Sequence, residues 1–216
     1  MDPRNEPGER FGDENGSQPL AKLERKIAQR FLPSNPLANP WRTNMSAPEK
    51  LDAVALLKAD HRKVEGLFAQ FEAATGDGKK QALAMQICME LTVHAKIEED
   101  VFYPACEGKV DEDLLKEAHV EHDGAKVLIA EIEAGGPGDE FYDAKVKVLS
   151  EEIEHHVEEE EKRVDGMFAQ ARKAGLDMEA LGERMAAEKA ELIRTYKADG
   201  LPKPVAPTLA ATSLAG

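Results

Sequence analysis

Residues 83–104 read LAMQICMELTVHAKIEEDVFYP, and the spacing within them decides the fold. Leu83, Ile87, Leu91, His94, Glu98 and Val101 follow one another at steps of three and four, the period of a helix face turned toward a core. Two ionisable groups interrupt that face one turn apart. Three other stretches repeat the arrangement. One seam runs Val54, Leu57, His61, Val64, Phe68, Phe71. Another runs Leu115, Ala118, His122, Ala125, Ile129, Ile132, and a third Val146, Leu149, Ile153, His156, Glu160, Val164. Each seam turns a histidine inward.

Working outward, Ser46-Ala-Pro-Glu49 reads as a capping box opening the first helix, and Gly76-Asp-Gly78 closes it. The second helix is expected from Lys79 to Ala105, where Pro104 and Gly108 mark its end. The third spans Asp111 to Ala134 and stops at Gly135-Gly-Pro-Gly138. Asp139 is expected to cap a fourth that reaches Lys173. Long helices with short connections predict an all-α, antiparallel up-down-up-down four-helix bundle over residues 47–174. His61–Gln70 also echoes Glu161–Gln170, as two matching helix pairs would.

The flanks differ in composition. Residues 1–46 carry six of the twelve prolines and read as an N-terminal arm. Leu20, Leu23, Ile27 and Phe31 mark a short amphipathic helix at 20–32 within it. Residues 175–198, with Met178, Leu181, Met185 and Leu192, read as a shorter accessory helix. Residues 199–216 read as a flexible Pro/Ala-rich tail. Either tail is a candidate docking segment for a protein partner.

The chain has 216 residues, with 42 acidic side chains against 28 basic, for a formal charge of −14. Such a balance repels phosphate backbones and argues against a nucleic-acid partner. The two cysteines, Cys88 and Cys106, are too few for a disulfide framework and fit a reducing, cytoplasmic compartment. No apolar run approaches the ~20 residues of a membrane span, and the N-terminus lacks the apolar core of a secretory signal.

Four imidazoles and two carboxylates on buried seams are costly without a shared partner, because an unpaired buried charge costs several kcal/mol. A bound metal offsets that cost by coordinating both groups. His94 and Glu98, like His156 and Glu160, are four apart and emerge on one helix face. The candidate ligands are His61, His94, Glu98, His122, His156 and Glu160, enough for two metal ions. Mixed imidazole and carboxylate donors favour iron, manganese or zinc. His119, at the seam's edge, is either a further ligand or a supporting or surface histidine. Glu65, four after His61, stays open in the same way. His155 lies among glutamates on a solvated face, and Glu99 and Asp100 are read as solvated too. Glu161 lies off the stripe, and Glu121 is placed to orient an imidazole from outside the ligand set.

The motifs ADH ending at His61, HAKIEEDVFYP from His94, VEH ending at His122 and HHVEEEE from His155 resemble the bacterial hemerythrin-like, or HHE cation-binding, family over roughly residues 48–170. The resemblance implies a four-helix bundle holding two non-haem iron ions, bridged by two carboxylates and an oxo or hydroxo group. By position His61, His94, His122 and His156 correspond to histidine ligands, and Glu98 and Glu160 to the bridging carboxylates. Oxygen-carrying members supply H-x-x-x-H on the third helix and H-x-x-x-x-D on the fourth. Here those helices read His119-Val-Glu-His122 and H-x-x-x-E, closer to the broader branch of sensors, iron-responsive proteins and proteins handling peroxide or nitric oxide. The leading expectation is a di-iron protein that binds or senses dioxygen, nitric oxide or iron. A catalase-like, peroxide-decomposing enzyme is the alternative, and a metal-stabilised interaction bundle is the third.

Overall fold

A computed structural model describes residues 52–209. The N-terminal arm, its helix at 20–32 and the Ser46 capping box lie outside the described residues, as does the chain beyond 209. The described residues form helices and connections without a strand. None of these helices is long and apolar enough to cross a membrane.

Helix α1 spans Ala53–Ala73 and opens at Asp52, later than Ser46 suggests. The Asp52 carboxylate accepts from the Ala55 N–H at 2.8 Å, satisfying one of the amides a helix start leaves open. Helix α2 spans Asp77–Ile97 and passes into a π-helical turn, Glu98–Phe102, then into the short α3, Tyr103–Cys106. Helix α4 spans Glu112–Ala134 and α5 spans Tyr142–Glu161. Two further helices follow, α6 over Met167–Lys173 and α7 over Met178–Asp199. At 22 residues α7 falls within the 20–23 of the bundle helices.

Helix α1 packs on α2, α2 on α4, α4 on α5 and α5 back on α1, which closes a ring of four around the core. Helix α7 lies against α1, α2 and the π turn. The core has two apolar clusters. One gathers Leu57, Ile97, Phe102, Ala118 and Phe168; the other gathers Val64, Leu91, Ala125, Ile129 and Leu149. Helices α1, α2 and α4 pass from one cluster to the other, and their inward histidines fall at the crossing. His61 lies between Leu57 and Val64, His94 between Leu91 and Ile97, and His122 between Ala118 and Ala125. The polar residues therefore form a layer between two apolar ones.

Two departures from regular helix bear on that layer. In the π turn the Tyr103 N–H donates to the Glu98 carbonyl, five residues back, and Pro104 has no N–H to give. The widened turn lets Val101, Phe102 and Tyr103 all be buried in succession, which a regular amphipathic helix cannot do. The expected fourth helix also ends early, at Glu161, and resumes at Met167. Gly166 makes the intervening turn: a Cβ there would lie 2.5 Å from the Lys162 carbonyl oxygen and 2.7 Å from that of Glu160. Val164, read as part of the seam, is consequently 76% exposed. The echo between 61–70 and 161–170 is broken by the same turn.

Gly166→Ala forces backbone against backbone. It is expected to destabilise the chain by about 1–3 kcal/mol, read as a lower urea midpoint with an unchanged m-value.

Candidate metal centre

The seam positions bring six polar side chains to one level. His61, His94, His122 and His156 come from α1, α2, α4 and α5, and all four are buried. Glu98 from the π turn and Glu160 from the end of α5 are 0% and 1% exposed. The imidazoles meet in pairs, with Nε2 of His61 3.1 Å from Nε2 of His94, and Nε2 of His122 3.3 Å from Nε2 of His156. The carboxylates join the pairs. Oε2 of Glu98 lies 3.1 Å from His94 Nε2 and 3.4 Å from His122 Nε2. Oε2 of Glu160 lies 3.4 Å from His61 Nε2 and 3.7 Å from His156 Nε2. Two overlapping donor groups result: His61, His94, Glu98 and Glu160 form one, and Glu98, His122 and His156 form the other.

An outer ring of carboxylates sets the imidazoles. His61 Nδ1–H donates to Glu161 Oε1 at 2.8 Å, His122 Nδ1–H to Glu99 Oε1 at 3.0 Å, and His156 Nδ1–H to Glu121 Oε2 at 2.7 Å. Asp60 Oδ2 stands 3.7 Å from His94 Nδ1, and α7 anchors Asp60 through Lys189. A proton on Nδ1 leaves the lone pair on Nε2 directed inward. In the His122–His156 pair both Nδ1 atoms are so engaged, and the two Nε2 atoms face each other at 3.3 Å. Both oxygens of Glu98 and Oε2 of Glu160 are buried without a hydrogen bond. Converging imidazole nitrogens and unpartnered carboxylate oxygens are what coordinated cations satisfy, so the donor set fits metal.

The protonation equilibria point the same way. Burial raises the Glu98 carboxyl, but His94 and His122 outweigh it and hold the group well below its usual range. Burial, with the Glu98 charge beside it, pushes Glu160 up to about 8. Burial lowers His94, yet Glu98 and Asp60 outweigh it and carry the imidazole to about 10. His61 falls to about 4 through burial and the neighbouring His94. Cys88 and Cys106 form no disulfide, and burial pushes both thiols up to about 12, so they stay protonated.

His119 does not join either donor group. It packs edge-on to the Tyr103 ring, with centroids 5.2 Å apart. Glu65 is exposed and pairs with Arg62 at 2.9 Å. His155 is 60% exposed. Glu99, read as solvated, is instead half-buried against His122 and Lys126. Asp60 and Tyr103 escaped the sequence reading. A signal for the outer ring is present: Asp60, Glu99, Glu121 and Glu161 each adjoin an inward residue of their own helix. Each reaches the histidine of the next helix round the ring.

Residues 52–168 match the family described as Hemerythrin HHE cation binding domain. The chain belongs to this family. It is a metal-binding hemerythrin-like protein. A crystal structure of an HHE domain-containing protein from Mycobacterium kansasii, an Rv2633c homolog, is similar at a TM-score of 0.58 and 24% identity. That match covers 69% of this chain and 94% of the other, and it shows the fold alone. A DNA nickase from Nostoc sp. is 29% identical over 119 residues, which are 55% of this chain and 34% of that protein. The hemerythrin-like chain thus spans about a third of that relative.

Metal binding requires Glu160 and His94 to give up protons that both hold at pH 7 in the metal-free protein. Burial lowers His122, but Glu98 and Glu99 raise it on balance, so it adds to the release. Titrating metal-free chain with zinc in weakly buffered indicator dye is expected to release about two or more protons per chain at pH 7. The release should diminish as the pH is raised through about 8, where Glu160 is already ionised.

Proposed function

We propose that this hemerythrin-like protein holds a pair of non-haem iron ions and binds or senses a small diatomic ligand, dioxygen or nitric oxide. The observation that carries the reading is a pair of overlapping donor groups that share a buried carboxylate. His61, His94, Glu98 and Glu160 would hold one ion and Glu98, His122 and His156 the other, with Glu160 Oε2 also 3.7 Å from His156 Nε2. The shared Glu98 would tie the ions together, and six side chains divided between two ions leave coordination positions for an external ligand. A reduced iron pair, when bound, supplies electrons to such a ligand.

The chain's own residues do the rest. Tyr103 Oη lies 3.2 Å from both His122 Nε2 and Glu160 Oε1. Burial, reinforced by the Glu160 and Glu98 charges, raises the phenol well above its usual range, so it keeps its proton and donates. The outer carboxylates hold the ring orientations, and the two apolar clusters exclude water. A second reading, catalase-like peroxide decomposition, draws on the same Tyr103 proton beside His122 and Glu160. Nicking of DNA, named for the Nostoc protein, is not part of the proposal: the match covers 34% of that protein, and the formal charge of −14 repels phosphate.

Chain purified from its own source is expected to carry about two iron ions, one per donor group, and His122→Ala about one. Anaerobic reduction followed by air should bring up near-ultraviolet and visible absorption that His122→Ala lacks. Native chain without iron or spectral change would overturn the proposal. Oxygen evolution from peroxide well above that of free iron would select the enzymatic reading instead.

A further inference from the structure

A cavity of about 360 Å³ adjoins the histidines. The rings of His61, His94, His122 and His156 reach its inner end, and Leu91, Ala125, Ile129, Ile153 and Val157 supply apolar walls. The outer wall is the segment 201–209, read from sequence as part of a flexible tail. Gly200, at φ 85°, ends α7 and turns the chain back over the bundle. Pro202, Pro204, Val205 and Pro207 then line the cavity from outside.

The strap is latched to a buried carboxylate. Both the N–H and the Oγ1 hydroxyl of Thr208 donate to Asp123 Oδ2 at 2.7 Å. Asp123 is 1% exposed, and its other oxygen accepts from Lys126 at 2.9 Å. A buried carboxylate is costly unless fully hydrogen-bonded, so losing the strap would leave Asp123 short of two donors. Lys126 also reaches Glu99 at 2.8 Å, and Glu99 orients His122. The latch therefore ends on the residues that set the metal centre. Proline at three strap positions lowers the entropy lost when the segment settles.

Interiors pack densely and leave few voids, so an apolar space of this size beside a candidate metal centre has been kept open. A dioxygen needs little of it: a cavity of roughly 150 Å³ already accepts benzene, and ligand pockets begin near about 300 Å³. Three of the polar groups at the walls are already engaged. Thr92 donates to the Cys88 carbonyl at 2.8 Å, Lys96 pairs with Asp100, and Lys126 is held as described.

We propose that the cavity is a binding site for an uncharged, apolar organic molecule of one or two rings, seated against the imidazoles and walled in by residues 201–209. The test uses the full, metal-loaded chain with naphthalene and toluene as probes, followed by naphthalene fluorescence and calorimetry. Saturable binding of one molecule per chain is expected. Ile129→Trp, which fills the cavity, and Val205→Asp, which charges the exposed strap where folding is not at stake, should each weaken it at least about tenfold. Thr208→Val should speed release, and Val148→Asp on the outer face of α5 should change nothing. Metal content read on the same samples separates this result from the metal proposal. The inference is overturned if neither probe saturates the native chain, or if Val205→Asp binds as the native chain does.

Discussion

The structure depends on one electrostatic constraint: two carboxylates and four imidazoles buried in a single layer between apolar clusters. Removing each ion from water costs several kcal/mol, a large share of the ~5–15 kcal/mol that holds a domain together. The side chains alone discharge only part of the cost. His94 and His122 stabilise the Glu98 charge. Yet both Glu98 oxygens and Glu160 Oε2 lack a hydrogen bond, and the His122 and His156 Nε2 atoms face each other at 3.3 Å. Cations at the two donor groups do discharge it, which makes metal part of the folded state's energetics as well as its chemistry.

The departures from an idealised bundle serve this layer. The π turn buries Tyr103 beside Glu98, where its hydroxyl meets both His122 and Glu160. The break after Glu161 frees that residue to accept from His61, and it lets Phe168 stack on the same imidazole with centroids 5.9 Å apart. Helix α7 looks dispensable to a four-helix core, yet its Lys189 anchors the carboxylate facing His94. Local irregularity concentrates where the polar residues need positioning, as expected of sites that trade regularity for function.

Much of this was legible. The spacing of Val54, Leu57, Val64, Phe68 and Phe71, and of their counterparts on the other seams, marks faces that are buried in the structure. The same spacing singles out the four histidines, Glu98 and Glu160. Val164 misled because periodicity carries no information about a turn that depends on the close approach permitted by Gly166. Glu99 misled because an acidic run reads as a solvated face until a neighbouring helix supplies its histidine.

By itself, the order of residues determined what is intrinsic to a helix: which face is apolar, and which ionisable groups must enter the core with it. Side-chain periodicity is a local property, fixed by 3.6 residues per turn. Only the tertiary structure decided which helix each outer carboxylate serves, how the two donor groups overlap, and where the segment 201–209 comes to rest. Those outcomes depend on distances between positions up to a hundred residues apart, as with Glu161 on His61 and Thr208 on Asp123. No local pattern encodes such distances.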